Sequence, residues 1–88
     1  MPYKVLVADS VIDFIDNLDK GEREKIMKRL HLLEQSPQSA GEPRGKFWIL
    51  KVGQSGYRLA FRIIEEEKVV HVTKIEKRKS EGYNEFYD

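Results

Sequence analysis

Two arginines and a tyrosine in the second half of the chain have the chemistry needed to bind and transform a phosphate group. Arg58 lies within the segment Gln54 to Arg62, and Arg78 follows the last hydrophobic run, five residues before Tyr83. Arginine presents a planar fork that binds two phosphate oxygens at once and keeps its charge. A tyrosine beside such cations can exchange a proton, because positive charge stabilises the phenolate. These residues therefore predict a site for an anionic phosphorus centre.

Further basic side chains surround these residues. Residues 44–80 carry 10 basic and 4 acidic side chains, a balance of +6, whereas residues 1–43 carry 6 and 8. Such a stretch suits an anion-binding surface, although a solvated basic sheet face has the same composition. Lys51 is a candidate for proton transfer beside Arg58, because neighbouring cations lower the pKa of a lysine. Contacts with an RNA backbone are predicted for five other residues: Lys46, Arg62, Lys74, Lys77 and Lys79.

The hydrophobic pattern predicts the elements that position these side chains. Residues 3–7 have the composition of a strand, and Ser10 is expected to cap a helix that follows. Asp19 is expected to cap a second helix, which ends before Pro37 because a residue preceding proline is disfavoured in a helix. Residues 36–46 contain two prolines and two glycines and are predicted to form a surface loop. Three strands follow, at residues 47–52, 57–63 and 69–75.

Alternation along these strands assigns side chains to the two faces of the sheet. Trp48, Leu50 and Val52 share one face, while Lys51 projects from the other, as Arg58 does on the next strand. The pattern predicts an α+β fold in which an N-terminal strand is followed by a two-helix hairpin and a three-stranded antiparallel meander, with the helices packed on one sheet face. This element order resembles that of the microbial ribonucleases. We expect residues 1–88 to form a single domain.

The element order and several short segments resemble the RelE-type toxins of prokaryotic toxin–antitoxin modules, within the RelE/ParE superfamily. The most specific segments are Gln54 to Leu59, Lys68 to Val70, and Lys77 to Tyr83, and Glu34 to Pro37 matches the usual helix end. The resemblance covers the whole chain. It implies a metal-independent endoribonuclease that needs no cofactor, enters the ribosomal A site and cuts messenger RNA there. In that family the 2′-hydroxyl attacks the adjacent phosphate and leaves a 2′,3′-cyclic phosphate and a 5′-hydroxyl.

The resemblance also implies a role for each member of the phosphate site. Arg58 corresponds to the arginine that stabilises the charged phosphorane, and Arg78 to the arginine near the leaving oxygen. Tyr83 corresponds to the tyrosine that orients the 2′-hydroxyl or takes its proton, although one residue fewer separates it from Arg78 than in the best-known pattern.

The general base is less clearly assigned by the same comparison. Lys51 corresponds to one of two strand lysines that transfer protons and stabilise charge. Ile49 stands where the other lysine would lie, so Lys51 or Lys46 is left as a candidate for its task.

The family implies two kinds of partner, a cognate RelB-type antitoxin and the ribosome with its messenger RNA. The free chain is expected to be a monomer that forms an oligomeric complex with the antitoxin, through apolar outer residues such as Phe47, Ile49 and Ala60. A cytoplasmic location without membrane contact is expected, because the sequence has no cysteine, no signal-peptide pattern and no apolar run of membrane-spanning length.

Two other functions fit the same fold. A ParE-like inhibitor of DNA gyrase would not need Arg58, Arg78 and Tyr83, so the presence of all three favours RNA cleavage. A non-catalytic module that binds RNA or the ribosome could use the same basic face, and Ile49 leaves this alternative open.

Overall fold

Five strands and three helices make up the part of the chain that the structure, a computed structural model, describes, namely residues 2–53 and 56–77. In chain order they are β1 (Lys4–Val7), α1 (Asp9–Asp16), α2 (Lys20–Gln35), α3 (Pro37–Ala40), β2 (Glu42–Arg44), β3 (Phe47–Val52), β4 (Tyr57–Ile64) and β5 (Val69–Lys77). Within these ranges, no helix is both long enough and apolar enough to cross a membrane.

The five strands form one mixed sheet in the order β1-β5-β4-β3-β2. Strand β1 runs parallel to β5, and all other neighbours are antiparallel. The predicted α+β class and the β3–β4–β5 meander are confirmed. Pairing adds one strand at each edge of that meander.

Both helix starts differ in detail from the capping prediction. Helix α1 begins at Asp9 rather than after Ser10, because the Ala8 carbonyl accepts hydrogen bonds from the backbone N–H groups of Val11 and Ile12, each at 3.0 Å. The Ala8 N–H donates in turn to the Val72 carbonyl at 2.9 Å, so pairing with β5 sets the start of the helix. Asp19 occupies the predicted cap position of α2, but its side chain makes no capping hydrogen bond.

Residues 36–46 are not the surface loop that their prolines and glycines predict. Helix α2 ends at Gln35 as expected, and Pro37 then starts the short helix α3, where its fixed φ is well suited. Strand β2 follows, with Glu42 opposite Ile49 and Arg44 opposite Phe47 on β3. Proline is tolerated in β2 because β2 is an edge strand.

The main core lies between the helices and one face of the sheet. Ile26 and Leu33 of α2 are fully buried, as are Leu59 and Phe61 of β4. Trp48 packs against Phe61 with nearly parallel rings and centroids 6.2 Å apart. Such burial stabilises the fold by roughly 1.5–3 kcal/mol for each large apolar side chain.

A register shift on β5 explains the irregular alternation of that strand. Ala60 pairs with Lys74 while the next residue, Phe61, pairs with Val72, so Thr73 is an extra residue. A bulge of this kind lets Val70 and Val72 face the helices and still returns Ile75 to the same core.

Candidate functional site

A row of charged side chains crosses the sheet face that points away from the helices. Lys51 on β3 lies directly opposite Arg58 on β4, and Arg58 lies directly opposite Glu76 on β5. Directly opposite residues project from the same face. The Lys51 Nζ contacts Glu42 Oε2 on β2 at 3.3 Å. We call these four residues, one on each of four adjacent strands, the charge row.

The centre of the charge row places two cations side by side. Like charges directly opposite each other destabilise an antiparallel pair. Glu42 and Glu76 flank the two cations and offset part of that repulsion. Two adjacent cations on rigid strands form a site that gains most when a phosphate group binds between them.

Packing fixes the backbone that carries Arg58. Its neighbours on β4, Tyr57 and Leu59, are 6% and 0% exposed and belong to the main core. Phe14 of α1 makes an edge-on contact with the Tyr57 ring, with centroids 5.9 Å apart. The guanidinium therefore starts from an anchored strand, and less reorganisation is needed when it meets an anion.

Strand β2 contributes two charged residues that the sequence interpretation missed. The Glu42 carboxylate contacts Lys51 Nζ at 3.3 Å and an Arg44 guanidinium nitrogen at 3.7 Å, and all three side chains are about half exposed. Gly41 lets β2 approach the core, since a Cβ atom there would lie 2.5 Å from Cζ of Phe61. The sequence interpretation did not identify Glu42 as a strand residue, because the proline and glycines around it predict a loop.

The strand residues on this outer face carry a surplus of positive charge. Alternation and register place six cations and two carboxylates there. The cations are Lys4, Arg44, Lys51, Arg58, Arg62 and Lys74, and the carboxylates are Glu42 and Glu76. The face thus has the electrostatic character of a surface for polyanions.

The remaining predicted site residues are distributed differently. Lys46 is exposed in the turn between β2 and β3. Lys77 projects to the helix side, where its Nζ lies 5.6 Å from the centroid of the Tyr57 ring, so it does not share a face with Lys74. Arg78, Lys79 and Tyr83 lie outside the described residues.

Ile49 belongs to a small second core on the outer face. It is 1% exposed and packs with Ala60, which is 4% exposed, while Phe47 is partly buried against both. The expectation that Ile49 and Ala60 are exposed apolar contacts is therefore wrong, because β2, β3 and β4 enclose them as a cluster. Burial also explains why an apolar residue suits position 49.

A second polar cluster lies at the other end of β4, seven residues along the strand and roughly 23 Å from Arg58. Tyr3 Oη donates to Glu65 Oε2 at 3.0 Å, and Gln38 Nε2 donates to the same oxygen at 2.7 Å. Lys68 Nζ donates to Glu65 Oε1 at 3.3 Å. We call these four residues the Glu65 cluster.

The hydrogen bonds of the Glu65 cluster perturb two ionisable groups. The hydrogen bond from Tyr3, followed by that from Lys68, lowers the pKa of Glu65. The hydrogen bond to Glu65 raises the pKa of Lys68. Lys68 also has a φ of 55°, an uncommon value for a residue with a side chain, which the tight β4–β5 turn requires.

In the ranges 2–53 and 56–77, no group of three or more His, Asp or Glu side chains has the geometry to hold a metal ion. The ionisable side chains on the described outer face are arginines, lysines, carboxylates and the imidazole of His71, which lies directly opposite Arg62.

Comparison with known proteins places this fold among toxins. No protein-family model matches the chain, and no curated protein matches it significantly. The isolated RelE toxin of Escherichia coli has a TM-score of 0.76 at 28% identity, over 97% of this chain and 90% of that one. The toxin–antitoxin complex RelBE of E. coli has a TM-score of 0.75 at 29% identity, and the match covers 88% of this chain and 98% of that one. A RelBE complex from Mycobacterium tuberculosis has a TM-score of 0.76 at 22% identity, over 89% of this chain and 100% of that one, and an identity this low shows the fold alone.

Proposed function

The chain is a RelE-type toxin, and from that premise we propose that it is a metal-independent endoribonuclease that cuts messenger RNA in the ribosomal A site. The observation that supports this proposal best is the direct cross-strand pair of Lys51 and Arg58 on a cation-rich face. A purely structural surface gains nothing from two adjacent like charges, whereas a phosphate-binding surface does.

The reaction assigned to this face is a transesterification within the RNA chain. The 2′-oxygen forms a bond to phosphorus, the bond to the 5′-oxygen breaks, and a 2′,3′-cyclic phosphate and a 5′-hydroxyl remain. Arg58 stabilises the charge that develops on the phosphorane, and Lys51 adds a second cation beside it. We assign Arg78 to the leaving oxygen and Tyr83 to the 2′-hydroxyl on the resemblance alone.

Cleavage is expected to depend on the ribosome. The charge row contains no histidine, so it has few groups suited to proton transfer near neutral pH. Holding the 2′-oxygen, the phosphorus and the leaving oxygen in line can contribute about 7–11 kcal/mol, and the A site can supply that geometry. The chain should therefore cut ribosome-bound messenger RNA and leave naked RNA nearly intact.

Primer extension tests this proposal directly. Transcripts from cells that express the chain should show cuts within translated codons, and purified protein should reproduce the same cuts on programmed ribosomes. Equal cleavage of naked and ribosome-bound RNA would contradict ribosome dependence. DNA damage that requires gyrase would instead favour a ParE-like toxin, and neither effect would favour a non-catalytic binding module.

We also propose a RelB-type antitoxin as partner. The helix side carries an apolar groove of about 290 Å³ between β1, α1 and α2. Ile12 and Met27 line this groove together and are 42% and 43% exposed, so they offer adjacent apolar surface that a partner can cover. Co-expression with the antitoxin should restore growth, and mutation of both residues to serine should weaken that rescue without lowering toxicity.

A further inference from the structure

Glu42 brings a carboxylate to the outer face of the edge strand β2. It sits directly opposite Ile49 in the β2–β3 pair and projects from the same outer face. Ile49 is buried and apolar, so it cannot exchange a proton. The Glu42 carboxylate is half exposed, and its Oε2 lies 3.3 Å from Lys51 Nζ. A carboxylate that can accept a proton thus lies beside the central cations of the charge row.

Attack by a 2′-hydroxyl requires a group that accepts its proton. The guanidiniums of Arg44 and Arg58 cannot do so, because arginine stays protonated in proteins. The two carboxylates of the charge row can. Glu42 is the one on the edge strand, where it contacts Lys51, whereas Glu76 lies directly opposite Arg58. Carboxylates are established general bases where they lie within hydrogen-bond reach of the proton that is removed.

On this geometry, and resting on the nuclease function proposed above, we propose that Glu42 is the catalytic proton acceptor of the site. The proton of the 2′-hydroxyl passes to the Glu42 carboxylate while the 2′-oxygen forms its bond to phosphorus. The bond from phosphorus to the 5′-oxygen breaks, the 5′-oxygen takes a proton from solvent water, and Glu42 returns its own proton to solvent. Protons and electrons balance without any further reactant.

The contacts of Glu42 couple this task to substrate binding. In the free chain its two oxygens face Lys51 and Arg44, at 3.3 and 3.7 Å. An incoming phosphate competes for both cations, so the carboxylate loses part of its counter-charge when the substrate arrives. Substrate binding therefore releases the Glu42 oxygens from their contacts with these cations at the moment when a proton acceptor is needed.

Substitution of Glu42 by glutamine and by aspartate tests the proposal. On programmed ribosomes, E42Q should lower kcat for messenger cleavage by about 100-fold or more, with KM nearly unchanged. A carboxylate base makes the rate fall on acidification. This fall should disappear in E42Q and persist in E42D, and E42D should also keep part of the activity. E67Q removes a similar charge from the exposed β4–β5 turn and should behave like the unmodified chain.

Three results would overturn the inference. The first is that E42Q retains the full kcat and still loses rate on acidification. The second is that E42Q changes only KM, which would make Glu42 an electrostatic contact rather than a base. In both cases the nuclease function would stand. If the unmodified chain fails to cut ribosome-bound messenger at any pH, the proposed function falls and this inference falls with it. Circular dichroism melting of E42Q and E42D confirms that each variant is folded in these assays.

Discussion

The charge row and the Glu65 cluster both lie at the surface, and both contain a lysine–glutamate contact of 3.3 Å. The two regions differ in how their charges are arranged. In the Glu65 cluster, a hydroxyl, an amide and an ammonium group all donate to one carboxylate. In the charge row, two cations face each other across β3 and β4. The first arrangement gathers donors around one carboxylate, whereas the second keeps two cations side by side with Glu42 and Glu76 at its ends, so an anion can bind between the cations.

This difference shows that a perturbed pKa does not by itself mark a functional site. The resolved shifts within the described residues, at Glu65 and Lys68, belong to the Glu65 cluster. That cluster joins Tyr3, Gln38 and the β4–β5 turn, segments that are far apart in sequence, so its contacts are sufficient to account for the two shifts without a ligand. The adjacency of like charges is the more informative signal here, because it costs stability and needs a separate reason.

The largest expected effect comes from removing the central arginine of the charge row. Arg58→Ala should lower the cleavage rate on programmed ribosomes by roughly a hundred- to thousand-fold, or about 2.7–4 kcal/mol of barrier. Arg58→Lys should restore little, because a point charge does not reproduce the planar fork. Arg62→Ala, on the same face and strand, is the control and should matter much less. Full toxicity of the alanine variant, with the fold intact, would remove the main support for the nuclease assignment.

A methyl group at Gly41 should disturb the edge strand that carries Glu42. Its Cβ would lie 2.5 Å from the Phe61 ring, which is fully buried and cannot withdraw easily. Gly41→Ala should therefore lower the free energy of unfolding by about 1–3 kcal/mol, measured by urea denaturation. Gly21→Ala is the matched control, since a Cβ there meets nothing within 4 Å and should leave stability equal or higher. Equal stability of both variants would show that β2 is not held by this close approach.

Two lysines on β5 project from opposite faces of the sheet, so their substitutions show which face binds RNA. Lys74 projects outward beside Ala60, whereas Lys77 lies over Tyr57 on the helix side. Lys74→Ala should weaken ribosome binding and flatten the dependence of log affinity on log salt by about 0.7–0.9 per lost phosphate contact. Lys77→Ala should leave that slope nearly unchanged. The reverse ranking, measured by ribosome pelleting at several salt concentrations, would place the RNA on the other face.

The smallest effect is expected at the Glu65 cluster. The pKa of Glu65 is lowered from 4.5 in the folded chain, so its stabilising contribution is present above that value and is lost as the pH falls through the folded pKa. The pKa of Lys68 is raised from 10.5, so its contribution is present below that value and is lost as the pH rises through the folded pKa. Glu65→Gln should slightly lower the melting temperature at neutral pH and flatten its dependence at both extremes, without affecting cleavage. A loss of cleavage in this variant would show that the Glu65 cluster and the charge row act as one functional site.

Local patterns were sufficient to predict the centre of the site. Alternation along β3 and β4 predicted that Lys51 and Arg58 leave the same face, and the register of the two strands agrees. The parallel pairing of β1 with β5 was not predictable in this way, because it joins segments far apart in the chain and no local sequence pattern indicates which distant strand is the partner. Glu42 was missed because the signal of an edge strand is weaker than that of the proline and glycines around it.

The prediction for the basic residues of β5 was too coarse, because Lys74 and Lys77 do not share a face. Lys74 and Lys77 were expected to act alike, but they are three positions apart on a strand whose side chains alternate, so they leave opposite faces. Simple alternation counted from the start of β5 fails at Thr73, where one residue has no partner on β4.

The parallel pair of β1 and β5 also constrains how the chain is completed during synthesis. Strand β1 pairs with β5 alone, so it can join the sheet only after β5 has been made. Contacts of this sequence separation form late and slowly, while the α1–α2 hairpin can form early. The cation-rich surface is therefore assembled only after β5 has emerged from the exit tunnel. For a protein proposed to act on ribosomes, such an order means that the basic surface stays incomplete while β5 is still being made.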